Sequence, residues 1–170
     1  SNLPRINSTY GLLAEGSRTN YVLNSSNASL FPNPLGTPTV SANVEAGPMS
    51  TAVGAAEVDM ITDDSAIAAE GWQFTAAVQN GGWAASCYLK AGTQDKVQMF
   101  VAPSGGTGTA TCTHTLTSSW ARYTCTMTAG ASTGAQNFAF QIGDAVSDTG
   151  TVYISHCQLE FNTGTPSVTS

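Results

Sequence analysis

Residue types that carry out acid–base or nucleophilic chemistry occur in this chain, but their spacing does not suit catalysis. The adjacent carboxylates Asp63 and Asp64 could suggest a glycosidase pair. Neighbouring residues on a turn point apart, whereas the acid and base of a glycosidase flank one bond across a cleft, so we interpret both as turn formers. His114 and His156 lie in no recognised nucleophile motif with a serine or a cysteine. We therefore predict that the chain is not an enzyme.

Metal and thiol chemistry is limited in the same way. The four cysteines lack the close paired spacing of a zinc site. Cys112 and Cys125 could form one disulfide between neighbouring strands, whereas Cys87 and Cys157 are expected to fill the core face of a strand as small apolar side chains. No cofactor is required, although structural calcium could be bound. The hard ligands available for calcium, without EF-hand-like spacing, are Glu15, Asp59, Asp144, Asp148 and Glu160.

The composition indicates which elements must position these side chains. Only 9% of residues are charged, and Thr, Ser, Ala and Gly are abundant, which favours strands and turns over solvated helices. The length of 170 residues predicts one domain, 1–170, and the start at Ser1 without Met suggests that it is cut from a longer protein. The charge of −6 and the scattered basic residues argue against a nucleic-acid partner. No apolar run reaches the roughly 18 residues that a membrane span needs, so a membrane is not an expected partner.

Alternation of apolar and polar residues predicts about eight to ten short strands. Segment 82–92 has one apolar parity and one polar parity, as a strand between core and solvent would. Segment 96–101 follows across a short turn, which predicts a hairpin, and segments 110–116 and 120–128 predict a second hairpin. A chain of many strands without a helix favours a sandwich or a barrel.

Four stretches of the chain resemble a known family. They are Pro4-Arg5-Ile6 with the Gly-Leu-Leu, Glu and Arg-Thr-Asn pattern of 11–20, the strand 83–92 ending in Lys-Ala-Gly, the Trp-x-Arg-Tyr strand 120–128, and the Gln-Leu-Glu strand 153–160 followed by Pro166. In these stretches the chain resembles the jelly-roll, carbohydrate-binding-like domains of phage tail and structural proteins, which are similar in form to the carbohydrate-binding modules of polysaccharide-degrading enzymes. The resemblance implies an all-β jelly-roll β-sandwich of two antiparallel sheets, attached to a larger virion or secreted protein. Ser155-His156 departs from the pattern, because the family often has an aromatic residue and a glycine there.

Sugar binding on such a fold needs aromatic faces that stack on pyranose rings, and amides, hydroxyls and a few charges that bond the ring hydroxyls. Alternation places a set of this kind on the solvent-facing parity of the strands. The predicted ligand-binding residues on that parity are Tyr88, Lys90, Gln98, Phe100, Arg122, Gln141, His156 and Gln158. Trp72 is predicted to be exposed for stacking, whereas Trp83 and Trp120 are predicted to pack in the core. The alternative for each residue is an ordinary polar sheet face.

The sequence thus predicts a non-catalytic carbohydrate-binding module that targets a larger protein to a glycan or polysaccharide. The ligand is expected on one solvated sheet face with Tyr88, Lys90, Gln98 and Gln141. The alternative is a structural phage-tail or virion domain that serves assembly or homo-oligomerisation and binds no sugar. In either case the expected location is virion or extracellular.

Overall fold

The computed structural model describes residues 6–7, 11–12, 28, 33–48, 58–76, 81–103, 110–130 and 136–162. Within these ranges the chain forms twelve β-strands, and no helix there has the length and apolar character needed to cross a membrane. The strands are β1 (Ile6–Asn7), β2 (Gly11–Leu12), β3 (Asn33–Leu35), β4 (Thr39–Glu45), β5 (Val58–Asp63), β6 (Gly71–Ala76), β7 (Gly81–Ala91), β8 (Lys96–Pro103), β9 (Ala110–Thr115), β10 (Ala121–Gly130), β11 (Gln136–Ile142) and β12 (Gly150–Asn162).

The longer strands build two antiparallel five-stranded sheets. Sheet 1 has the order β10-β7-β12-β5-β4, and sheet 2 has the order β3-β6-β11-β8-β9; β1 and β2 pair with each other. The inner faces of the two sheets share one apolar core. The predicted all-β jelly-roll sandwich of two antiparallel sheets is therefore confirmed.

Both predicted hairpins are wrong, because the chain changes sheet at each of the two turns. β7 pairs with β10 and β12 in sheet 1, whereas β8 pairs with β11 and β9 in sheet 2. The connection at 92–95 is held by the carbonyl of Thr151, which accepts the N–H of Gly92 at 3.1 Å and of Gln94 at 3.2 Å. Alternation shows which side chains a strand buries, but it does not show which strand is the neighbour.

Aromatic residues at alternate positions determine which face of β6 packs in the core. Trp72 is 5% exposed and lies directly opposite Phe140 of β11, and Phe74 stacks on Phe138 with ring centroids 5.7 Å apart. The prediction that Trp72 is exposed is therefore wrong, because Trp72 and Phe74 share one parity and both point into the core. Trp83 is fully buried, as predicted.

All four cysteines form disulfides. Cys112 of β9 bonds to Cys125 of β10, which confirms the predicted pair and ties sheet 2 to sheet 1. Cys87 bonds to Cys157, so the prediction that these two are unpaired core residues is wrong. The cause is a β-bulge in β12 between Ser155 and Gln158, where two residues oppose one of β7 and the Cys157 side chain turns inward beside Cys87.

Candidate functional site

The change of sheet at 92–95 divides the predicted ligand residues between opposite sides of the sandwich. Sheet 1 carries Tyr88, Lys90, Arg122 and Gln158, which face outward on β7, β10 and β12, and His156 in the bulge of β12. Sheet 2 carries Gln98, Phe100 and Gln141 on β8 and β11. Gln141 is only 9% exposed, so the prediction that it lies on a solvated face is wrong: on the central strand β11, its neighbours leave little of it in contact with solvent. The prediction of one face with Tyr88, Lys90, Gln98 and Gln141 is therefore wrong. We call the first set the cation–aromatic face.

Lys90 is the centre of the cation–aromatic face. Its Nζ lies 4.3 Å from the ring centroid of Tyr153 and 5.6 Å from that of Trp120, and it forms an ion pair with Glu45 of β4. Trp120 is thus a partly exposed surface residue, contrary to the prediction that it packs in the core. Because an ammonium group already lies over both rings, neither ring offers that face to a sugar.

Arg122 holds the rest of this face together. Its Nε and Nη2 donate to Ser86 Oγ at 3.2 and 2.9 Å, and Nη2 also donates to Gln158 Oε1. Its guanidinium carbon lies 5.9 Å from the ring centroid of Tyr88. Three of the predicted ligand residues therefore bind one another.

The remainder of the cation–aromatic face is covered. Ala84, Ser86, Ser155 and Glu160 point outward by register, yet each is at most 6% exposed. His156 sits in the bulge with a φ of 49°, and its Nδ1 forms a hydrogen bond with Ser155 Oγ. The two residues at this position thus form a bulge and a local hydrogen bond.

The outer face of sheet 2 has a different character. Gln141 of β11 lies between Gln98 of β8 and Gly71 of β6, and in the next row Ala139 lies between Phe100 and Gln73. Ala139 on the central strand β11 provides little side-chain volume, so Gln73 and Phe100 stand on either side of a low position in that row. We call Gln73, Gln98, Phe100 and Gln141 the amide face.

Much of the hydrogen-bonding capacity of the amide face is unused. Gln98 Nε2 donates to Thr113 Oγ1 and to the carbonyl of Asp144, each at 3.3 Å, while its Oε1 accepts nothing from the described residues. The amides of Gln73 and Gln141 have no hydrogen bond within the part of the chain that the structure describes. Neither a ring nor a cation among these residues packs on Phe100, which is partly exposed.

Sequence reasoning found three members of the amide face and missed Gln73. The missing signal was Phe74, because two aromatic residues at alternate positions indicate a core parity and place the residue between them outside. An array of amides beside a free aromatic ring can bond sugar hydroxyls and cover the apolar side of a pyranose.

The loop that leads into β6 beside the amide face is held by two carboxyl groups, Asp63 and Glu70, each 1% exposed. Glu70 Oε1 accepts the N–H and the hydroxyl of Thr37 at 3.1 and 3.0 Å, and its Oε2 accepts the N–H of Asp64 at 3.2 Å. Asp63 accepts the N–H groups of Ser65 at 3.0 Å and of Glu70 at 3.2 Å, and its carboxyl also bonds that of Glu70. The contact with Ser65 is the one expected of a turn former, although Asp63 itself ends β5.

The two carboxyl groups titrate differently. Burial raises the pKa of Asp63 above its usual value, and the nearby charge of Glu70 adds to the rise. Burial acts on Glu70 in the same direction, but the hydrogen bonds from Thr37, Asp64 and Asp63 outweigh it and lower the pKa of Glu70. A single proton shared between the two carboxyl groups accounts for the raised pKa of Asp63 and the lowered pKa of Glu70.

The carboxylates considered for calcium are not gathered at one place in the described residues, where no cluster of three potential ligands occurs. Asp59 accepts the N–H of Asn43 at 3.0 Å, and Glu160 lies on the covered part of sheet 1. Asp148 accepts the N–H groups of Asp144 and Ala145 at 2.8 and 3.0 Å, which lowers its pKa. Glu15 lies outside the described residues.

No family model matches this chain, and no curated protein matches it. Among solved structures, an arabinose-bound MgGH51 α-L-arabinofuranosidase is similar with a TM-score of 0.58 and 13% identity, over 82% of this chain and 26% of that one. A CBM4 structure is similar with a TM-score of 0.51 and 22% identity, over 74% of this chain and 94% of that one. TmCBM61 in complex with β-1,4-galactotriose is similar with a TM-score of 0.51 and 14% identity, over 85% of this chain and 99% of that one.

These similarities establish a class of fold. The chain has the β-sandwich architecture of carbohydrate-binding modules, and it spans about a quarter of the arabinofuranosidase that it matches. At these identities the likeness concerns the fold alone, so the function has to be argued from the two faces.

Proposed function

We propose that this chain is a non-catalytic carbohydrate-binding module and that a polysaccharide binds across its amide face. The observation that carries the proposal is the row of glutamine amides with unused hydrogen-bonding capacity beside the free ring of Phe100. Neighbouring strands lie about 4.8 Å apart, so Gln73 and Gln98 on strands two steps apart span about 10 Å across the sheet. An extended glycan lying across the strands would meet Gln73 on β6 and Gln98 on β8, on either side of β11.

The same reasoning argues against the cation–aromatic face as the glycan site. Its rings are covered by Lys90 and Arg122, and its amide at Gln158 already accepts a hydrogen bond. A sugar that stacked there would first have to displace these contacts, whereas on the amide face the Gln73 amide, the Gln98 Oε1 and the Phe100 ring can be reached without breaking a contact between described residues.

The proposal includes the absence of catalysis. Asp63 and Glu70 are a carboxyl pair among the described residues, but they bond each other and the backbone of their own loop, and both are buried. A buried pair cannot flank a polysaccharide bond. No metal takes part in the proposed binding, and any calcium would be structural.

We further propose that the module works within a larger secreted or virion protein. The two disulfides support an oxidising compartment. A phage-tail parent is suggested only by the resemblance of the four sequence stretches, and identification of the parent gene would test it.

Affinity electrophoresis through gels that contain soluble polysaccharides tests the proposal. We expect at least one polysaccharide to retard the domain, Phe100→Ala to weaken binding about tenfold, and Gln73→Ala to weaken it about fivefold. Tyr88→Ala and Gln158→Ala are matched controls, because they remove a ring and an amide from the opposite face. We expect these controls to bind as the unmodified domain does.

Two results would contradict the proposal. Loss of retardation in Tyr88→Ala together with normal retardation of Phe100→Ala would place the site on sheet 1. Absence of retardation in every gel would argue against glycan binding.

One observation favours the second candidate function, assembly of a virion or tail. Trp, Tyr and Arg are enriched at protein interfaces. Tyr88 and Arg122 belong to the cation–aromatic face, and Trp120 and Tyr153 adjoin it through Lys90. Size-exclusion chromatography with light scattering separates the two functions. The glycan-binding proposal predicts a monomer, whereas a dimer that Trp120→Ala dissociates would favour assembly.

A further inference from the structure

The charged residues of this chain are distributed unequally between the two sheets. The chain has eleven acidic and five basic residues, yet the strands of sheet 2 contain a single charged residue, Lys96. The strands of sheet 1 contain six. They are Glu45, Asp59, Asp63, Lys90, Arg122 and Glu160. The amide face is therefore the uncharged side of an acidic molecule.

The connections between strands follow the same division. Segments 77–80, 104–109 and 131–135, which follow β6, β8 and β10, contain no charged residue in the sequence. Other described connections carry acidic residues. These are Asp64, Glu70, Asp95, Asp144 and Asp148. The three segments that follow β6, β8 and β10 are thus neutral by sequence, whereas the described connections that precede β6 and β8 and follow β11 are acidic.

Lys96 does not make the amide face cationic. Its Nζ donates to Thr115 Oγ1 at 2.6 Å, and its neighbour Asp95 opposes its charge. The loop of Asp144 adjoins the same place, since the Asp144 carbonyl accepts the amide of Gln98 at 3.3 Å. The net charge of the region around Lys96 is therefore not positive.

We infer that the ligand of the amide face is an uncharged polysaccharide, and that polymers with carboxylate or sulfate groups are excluded. This inference rests on the proposed function. A carboxylate that loses water on binding needs a cation or several donors in return, and this face supplies neutral amides and a phenyl ring. The net charge of −6 also repels a polyanion as it approaches.

The test compares neutral and acidic polysaccharides on the same domain. Gels contain galactan, xylan or mixed-linkage glucan in one set, and polygalacturonate, alginate or dextran sulfate in the other. We expect retardation only in the neutral set, weakened about tenfold in Phe100→Ala and unchanged in Lys96→Gln. We also expect the affinity to change less than about twofold between about 0.05 and about 0.5 M NaCl, because screening acts only on charged contacts.

The outcomes separate this inference from the proposed function. Retardation by an acidic polysaccharide that Phe100→Ala abolishes and salt weakens would overturn the inference and leave glycan binding in place. Loss of neutral-polysaccharide binding in Lys96→Gln would also overturn it, because the cation would then contribute to recognition. Retardation in neither set would contradict the proposed function and this inference with it. The melting temperature of each variant verifies that it is folded.

Discussion

Removal of each disulfide should destabilise the domain by an amount set by the length of chain that it closes. Cys87 and Cys157 are 70 residues apart, whereas Cys112 and Cys125 are 13 apart. In the chain-entropy description, these loops correspond to about 4.4 and about 2.9 kcal/mol at 25 °C. Cys87 and Cys157 are also fully buried, so their replacement leaves a cavity that adds to the first value.

The measurement is guanidinium unfolding of two double variants, Cys87→Ala/Cys157→Ala and Cys112→Ala/Cys125→Ala, against the unmodified domain. We expect the first to lose more stability than the second by about 1.5 kcal/mol or more. Unfolding with the disulfides reduced is the control, because it should abolish the difference between the unmodified domain and each variant, apart from the cavity. If the short-loop variant lost as much as the long-loop variant, loop length would not be the dominant cause and the reasoning would fail.

Two further predictions concern side chains that stabilise the fold. Lys90→Ala should lower the free energy of unfolding by about 1 kcal/mol more than Lys96→Ala, because Lys90 loses contacts with two rings and an ion pair, and urea titration measures both. Because the pKa of Asp63 is raised in the folded state, its contribution is present below its unfolded pKa and is lost as the pH rises through the folded value. Because the pKa of Glu70 is lowered, its contribution is present above its unfolded pKa and is lost as the pH falls through the folded value. The melting temperature should thus pass through a maximum, with its decline at higher pH reduced in Asp63→Asn and its decline at lower pH reduced in Glu70→Gln. An unchanged profile in both variants would refute the shared proton.

Sequence patterning predicted the parity of the strands far better than their neighbours. The alternation in 82–92 correctly separated Trp83 and Leu89 from Tyr88 and Lys90, because each side chain of a strand faces either core or solvent. Alternation could not show that β7 and β8 belong to different sheets, because β7 buries the same apolar face whichever strand lies beside it. The predicted single ligand face failed for that reason alone.

The pairing of Cys87 with Cys157 depended on a feature that no alternation contains. In a regular β12 with Ser155 opposite Tyr88, residue 156 would lie opposite Cys87, and Cys157 would point to the outer face. His156 instead adopts a positive φ, which few residues other than glycine take, and the added residue restores the inward direction. The family resemblance identified this position as a departure, but only the structure shows what the departure does.

Phe100 connects the stability of the fold with the proposed function. Its register opposite Ala139 holds the ring outside, because an inward turn of β8 would expose Val97, Met99 and Val101, which are fully buried. The exposed part of this ring forgoes about 25 cal/mol for each Å² left in water. A bound pyranose that covers that part would recover this free energy at the moment when the amides of Gln73 and Gln98 exchange water for sugar hydroxyls. The amide face thus combines apolar surface that stays in water in the free protein with polar groups that can exchange water for sugar hydroxyls. Both features favour the bound state.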